Sequence, residues 1–208
     1  ALFLLHILFV NLMVGGTTLT AWFEIIGRRH PKYDDLARAI GATITVNKSL
    51  AVVLGVGPLL AINVLYTVHF YSANAITGTA WISVVPLAIV AFLLTYLHKY
   101  AWRAMSGVKW LHIAVVVAAA AIFWFIPLIF LANINLMLFP EHWRGTGGFW
   151  ASIVLDNVWP RYLHFMLASL ALTGLFLAWW MGRPGFEAER PTPGFTRSQL
   201  RRMFCFFA

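Results

Sequence analysis

Five long apolar stretches constrain the fold of this chain more than any other feature of the sequence. They lie near residues 1–26, 40–68, 79–99, 111–138 and 160–182. A helix rises about 1.5 Å per residue, so each stretch can cross a hydrocarbon core of about 30 Å. Only 11% of the 208 residues are charged, whereas roughly a quarter are charged in a soluble domain. We therefore predict an all-α membrane protein, with about five transmembrane helices forming one bundle over residues 1–182.

The distribution of basic residues predicts the orientation of this bundle. Most Lys and Arg residues lie in the first connection, in the third connection and after residue 182. The positive-inside rule makes that side cytoplasmic, so we expect the N-terminus outside in a multi-pass protein of the cytoplasmic (inner) membrane. Residues 183–208 are then a cytoplasmic connection and the start of a further helix. Because the chain begins without Met inside an apolar run, we expect it to be part of a longer protein, and the first run lacks the basic region of a signal peptide.

Charge and cysteine content exclude several functional classes. The formal net charge is +8, but the basic residues lie in short loops rather than on one soluble face, which argues against nucleic-acid binding. Cys205 is the sole cysteine. A disulfide, a CxxCH haem attachment or a cysteine-based metal site within the chain is therefore excluded.

Two histidines lie inside apolar stretches. Placing an ionisable group in the hydrocarbon core costs free energy, so such a residue is a candidate functional residue. His6 is in the first stretch and His164 in the fifth, both near the predicted outer face. Neutral imidazole is the usual ligand of haem iron, and one histidine per helix at similar depth suits tetrapyrroles held between helices. The alternative is that each histidine only hydrogen-bonds a neighbouring carbonyl group.

Two arginines near the same face are candidate haem-binding residues. Arg161 precedes His164 by three residues and shares its helix face. Arg161 or Arg144 could neutralise haem propionates at the outer surface. The alternative is that an interfacial arginine binds lipid phosphate.

The remaining polar groups of the apolar stretches have structural interpretations. We interpret His98 and His112, at the cytoplasmic ends of the third and fourth stretches, as interfacial histidines. An ion pair between Glu24 and Lys48 would explain both of these buried charges, and a proton-path role for Lys48 is the alternative. The other histidines, which we assign to loops or interfaces, are His30, His69 and His142.

Four ordered segments resemble subunit I of the cytochrome bd quinol oxidases. Residues 5–10 (LHILFV) resemble its first helix, which carries a haem-ligating histidine. The second helix of that subunit is similar to residues 46–47 (VN) together with Gly55. The end of its fourth helix is similar to residues 131–133 (LAN) together with Met137. Residues 155–158 (LDNV) and 161–164 (RYLH) resemble the surface segment and fifth helix that carry a second histidine. The resemblance covers residues 1 to about 182.

This resemblance implies that His6 and His164 each ligate a haem. The two haems would be different ones, and both would lie near the outer surface. The family's third helix carries two glutamates for proton delivery to an oxygen-reducing site, whereas Leu87 and Thr95 occupy those positions here. The resemblance and this departure together predict a haem b subunit rather than an oxygen-reducing enzyme. It would transfer electrons between quinol and a redox partner, such as a cytochrome, in a respiratory complex.

Two other functions remain open from the sequence. One is a divergent bd-type terminal oxidase with proton delivery rebuilt from other residues. The other is a cofactor-free membrane anchor or a transporter. Transporters usually show broken helices or polar residues that converge near the midplane, and the sequence shows few polar residues there.

Overall fold

The computed structural model describes residues 1–45, 48–183, 186, 192 and 194–208, and every regular element in that part is helical. The helices are α1 (Leu2–Gly27), α2 (Pro31–Thr45), α3 (Lys48–Leu65), α4 (Thr67–Thr77), α5 (Thr79–Tyr100), α6 (Lys109–Leu138), α7 (Phe149–Ser152), α8 (Val158–Met181) and α9 (Arg197–Cys205). Four spans, those of α1, α5, α6 and α8, are long and apolar enough to cross a membrane. A fifth is present if the bent pair α3–α4 counts as one span. The chain is therefore an all-α membrane protein, as predicted.

Four of the five predicted spans agree with the observed helices to within two residues at each end. Pro86 lies inside α5 and Pro127 inside α6 without ending either helix. Such prolines are tolerated in membrane helices because neighbouring groups satisfy the freed carbonyls.

The span predicted over residues 40–68 corresponds to parts of three helices, α2, α3 and α4. Helix α2 begins before this span, with Pro31 at its first position, a position that suits the fixed φ of proline. Helix α3 ends at Leu65, and after Tyr66 the helix α4 continues at an angle of 109° to α3. Residues 69–77, which lie between the second and third predicted spans, belong to the helix α4, and Gly78 separates α4 from α5 with a φ of 53°. Apolar periodicity does not report such a bend, because α3 and α4 are both mostly apolar.

Helix α1 lies at the centre of the bundle and packs on α2, α3, α6 and α8. Small residues permit this close packing. A Cβ atom on Gly15 would lie 2.3 Å from the carbonyl oxygen of Ser169, and one on Gly16 would lie 1.7 Å from Ile44 Cδ1. The Ser169 hydroxyl donates to Asn11 Oδ1 at 2.9 Å, so a buried polar contact also joins α1 to α8.

A second contact region lies where α1 ends and α2 begins. Helix α9 packs against α8 there and buries Leu200 and Phe204 in the same apolar cluster as Phe23. The Thr196 hydroxyl accepts from the Gln199 amide, and the Gln199 side chain accepts from the Thr196 amide, which caps α9. Many of the basic residues flank this end of the bundle, which we call the basic end.

Candidate functional site

Three ionisable side chains from three helices meet in the interior of the basic end. Glu24 near the end of α1, His98 near the end of α5 and His112 near the start of α6 are 0%, 3% and 1% exposed. Helices α5 and α6 form an antiparallel hairpin, so His98 and His112 lie at the same level although fourteen residues separate them. We call these three residues the Glu24 cluster.

Both imidazole rings contact the Glu24 carboxylate. His98 Nε2 lies 2.6 Å from Glu24 Oε2, and His112 Nδ1 contacts Glu24 Oε1. The two rings stack with centroids 4.2 Å apart. His112 Nε2 lies 2.8 Å from the backbone carbonyl oxygen of His98, which fixes the orientation of the His112 ring.

Lys109 joins the cluster to a second carboxylate. Its Nζ lies 2.7 Å from Glu24 Oε1 and 2.6 Å from Asp34 Oδ1. The same ammonium group lies 4.3 Å from the centroid of the Trp102 ring. One lysine therefore balances two carboxylates, and the imidazole rings are the other nearby groups able to carry positive charge.

The contacts of His112 place its Nδ1 atom directly against the Glu24 carboxylate. A carbonyl oxygen only accepts, so His112 Nε2 carries a hydrogen and donates it to His98. In a neutral ring Nδ1 would then present a lone pair to an ionised carboxylate, which also only accepts. A proton or a metal ion on the Nδ1 side removes that repulsion.

These contacts correct one interpretation drawn from the sequence, that of His98 and His112. His98 and His112 are not interfacial but buried, because both rings turn inward to the Glu24 carboxylate. The described partners of Glu24 are His98, His112 and Lys109, whereas the side chain of Lys48 lies outside the described residues. The sequence signal for this site is an acidic residue ending one apolar run and a histidine at the same end of each of two others.

His6 occupies a second position of interest, between α1 and α3. The ring is half-buried, and its Nδ1 lies 2.8 Å from the Ala51 carbonyl oxygen. Nδ1 therefore carries the hydrogen, which leaves a lone pair on Nε2 of the neutral ring that could bind a metal ion. Gly55 faces the ring so closely that a Cβ atom there would lie 2.6 Å from His6 Cε1.

The other three predicted site residues are not brought into contact with His6. His164 lies on α8, next to α1, and its side chain is exposed. The Arg161 guanidinium lies 6.0 Å from the centroid of the Phe139 ring, and Arg144 is exposed. Neither arginine forms an ion pair within the described part of the chain.

Fold and site together define an all-α membrane protein with a buried His/Glu cluster at its basic end and a carbonyl-oriented histidine at the other. A comparison with protein-family models finds no match, and a comparison with curated proteins finds none.

Proposed function

We propose that this protein is a haem b-binding membrane subunit that transfers electrons between quinol and a redox partner. The observation that carries the proposal is the geometry of His6. A histidine that binds a metal almost always donates its other ring N–H to a carbonyl, a carboxylate or water, which fixes the tautomer and raises ligand basicity. His6 has that arrangement, with Nδ1 on the Ala51 carbonyl.

The residues around His6 fit this role. Ala51 orients the ring through its carbonyl oxygen, and Gly55 leaves the space that the ring fills. A bound haem would supply one-electron chemistry, while the protein sets its potential through ligands, burial and hydrogen bonds. The ordered resemblance to subunit I of the cytochrome bd oxidases supports the same assignment.

His164 fits as a second ligand position when another surface covers it. Asn11 contacts Ser169, and the Cβ position of Gly15 lies beside Thr173, so α1 and α8 run in parallel. Counting back along both helices puts His164 at about the level of His6. Leu163 and Leu167 beside it are 56% and 66% exposed. We propose that further helices or subunits of a redox complex cover this apolar face, with Arg161 and Arg144 on the propionate side.

The test is a reduced-minus-oxidised visible spectrum of the purified full-length protein, with and without carbon monoxide. We expect haem b bands that carbon monoxide leaves unchanged and that a reduced quinol produces. His6→Ala and His164→Ala should each remove one haem signal, whereas the control His142→Ala should remove none. A colourless wild-type protein, or full haem content in both His6 and His164 variants, would overturn the proposal.

The same spectrum tests the oxidase alternative. Helix α5 contains no acidic residue, and its Leu87 and Thr95 positions cannot carry protons as carboxylates do. A carbon monoxide shift together with quinol-dependent oxygen uptake would favour a bd-type terminal oxidase over an electron-transfer subunit.

One structural feature favours a transporter as the second candidate. The 109° break between α3 and α4 interrupts a span, and broken helices commonly line transporter binding sites. Absence of haem from the purified protein, combined with ion-dependent or substrate-dependent flux in vesicles, would favour this candidate.

A further inference from the structure

We propose that Glu24, His98 and His112 bind a divalent first-row transition ion, with Zn²⁺ as the ion that their chemistry favours. Two imidazoles and one glutamate are the protein ligands of a known class of zinc site, in which water holds the fourth position. This site is separate from the haem proposal, because it uses none of the residues near His6.

Three donor groups converge in the Glu24 cluster. One ligand atom from each of the three residues lies within 4.8 Å of the others, and all three side chains are buried. The ligands come from α1, α5 and α6, so the packing of the whole bundle holds them together. A proton can be shared between two of these groups at a time, whereas a metal ion can bind all three.

The His112 ring is oriented by a hydrogen bond from the nitrogen that faces away from Glu24. Its Nε2 donates to the His98 carbonyl at 2.8 Å, which points the Nδ1 lone pair at the centre of the cluster. This is the arrangement that orients histidine ligands around metal ions. It also explains how a ring nitrogen and an ionised carboxylate oxygen can face one another without repulsion.

The charges around the Glu24 cluster also favour a bound cation. Glu24 and Asp34 carry two negative charges against the single positive charge of Lys109. A divalent ion at the cluster adds positive charge, and Lys109 keeps its own counterion in Asp34 and its contact with the Trp102 ring. Lys109 can therefore shift away from Glu24 while it stays paired.

A small cavity with a mixed polar and apolar lining adjoins His98, one of the three proposed ligands. Thr17, Thr20 and Thr95 line it together with His98. A cavity needs space for about one probe sphere and several polar partners to hold a water. A water molecule in this cavity would lie beside His98.

Metal analysis of the intact purified protein tests the proposal. The total metal content is measured by mass spectrometry, and haem iron, determined separately by its pyridine complex, is subtracted. We expect one non-haem ion per chain in the wild type and in the control His69→Gln, whose ring lies against Trp143 far from the cluster. We expect a loss of about 10-fold or more in metal affinity in His98→Gln and His112→Gln.

A titration of the wild type covers the case in which the variants fail to fold. Protein treated with chelator is titrated with Co²⁺, whose visible absorption reports nitrogen and oxygen ligands, and Zn²⁺ is then added in competition. Saturation at one equivalent and displacement by Zn²⁺ support the proposal. No non-haem ion and no Co²⁺ or Zn²⁺ binding, or unchanged binding in folded cluster variants, would overturn it and leave a proton shared within the cluster.

Discussion

Replacing Gly55 by alanine tests the position of the His6 ring with a single methyl group. The ideal Cβ atom would lie 2.6 Å from His6 Cε1 and 2.9 Å from Nδ1. Ordinary carbon contacts lie at about 3.5–4.0 Å, so the ring has to retreat by about 1 Å. That movement disrupts the hydrogen bond to the Ala51 carbonyl, which is 2.8 Å long. Gly57→Ala is the matched control, because its Cβ would meet only the end of the flexible Leu2 side chain, at 3.2 Å.

The size of the effect follows from three contributions. Overpacking costs about 1–3 kcal/mol, and the lost hydrogen bond costs about 0.5–1.5 kcal/mol. Alanine gains up to about 1 kcal/mol over glycine in a helix, but this gain is common to Gly55→Ala and Gly57→Ala and cancels in their comparison. We therefore expect Gly55→Ala to be less stable than Gly57→Ala by about 1.5–4.5 kcal/mol. Loss of the partner that orients a metal ligand lowers affinity about 10–100-fold, which sets the expected loss of haem affinity.

Two assays on the same detergent-solubilised samples measure these effects. Denaturant unfolding gives the stability difference, and titration of the haem-depleted protein with haem gives the affinity. Equal stability of the two variants would refute the packing of His6 against Gly55. A clear stability difference with equal haem affinity would refute the role of His6 as a ligand and leave the packing intact.

Three further substitutions test the buried packing by denaturant unfolding of the purified protein. Glu24→Gln should lower stability by about 3–5 kcal/mol, because it leaves a buried ionic network without its central charge; a loss below about 1 kcal/mol would contradict this. Gly15→Ala should lower stability by about 1–3 kcal/mol, since its methyl group would press on the Ser169 backbone, whereas Gly107→Ala, with no atom within 4 Å, should have almost no effect. Asn135→Leu should raise stability by about 1–3 kcal/mol, because neither polar atom of this fully buried amide has a partner among the described residues; a large loss would show that the amide is satisfied.

The length of the apolar stretches was sufficient to predict four spans of this fold, because each of these helices is long, apolar and bounded by turn residues. The segment from Pro31 to Thr77 differs from the predicted bounds for two physical reasons. Its first part, α2, carries charged residues at the basic end, and this charged sequence is typical of a loop between membrane spans. The sharp turn at Tyr66 joins two segments of similar composition, so no change of pattern marks it.

The candidate site was predictable only in part. His6 stands out because it interrupts an apolar run, and the structure adds the contact that orients it. The Glu24 cluster was missed because its members lie 74 and 88 residues apart in sequence. Each alone resembles an ordinary polar residue at a helix end, and only the packing of α5 and α6 on α1 brings them to one point.

Helix α1 carries both proposed sites, and its length keeps them independent. His6 and Glu24 are eighteen residues apart on one continuous helix, which corresponds to about 27 Å. No ligand of one site can therefore also serve the other, although both depend on how α1 packs. It follows that His6→Ala should spare the non-haem ion and that His98→Gln should spare the haem, provided that α1 keeps its place. Loss of both groups from either variant would mean that the bundle had loosened, whereas selective loss identifies the ligand.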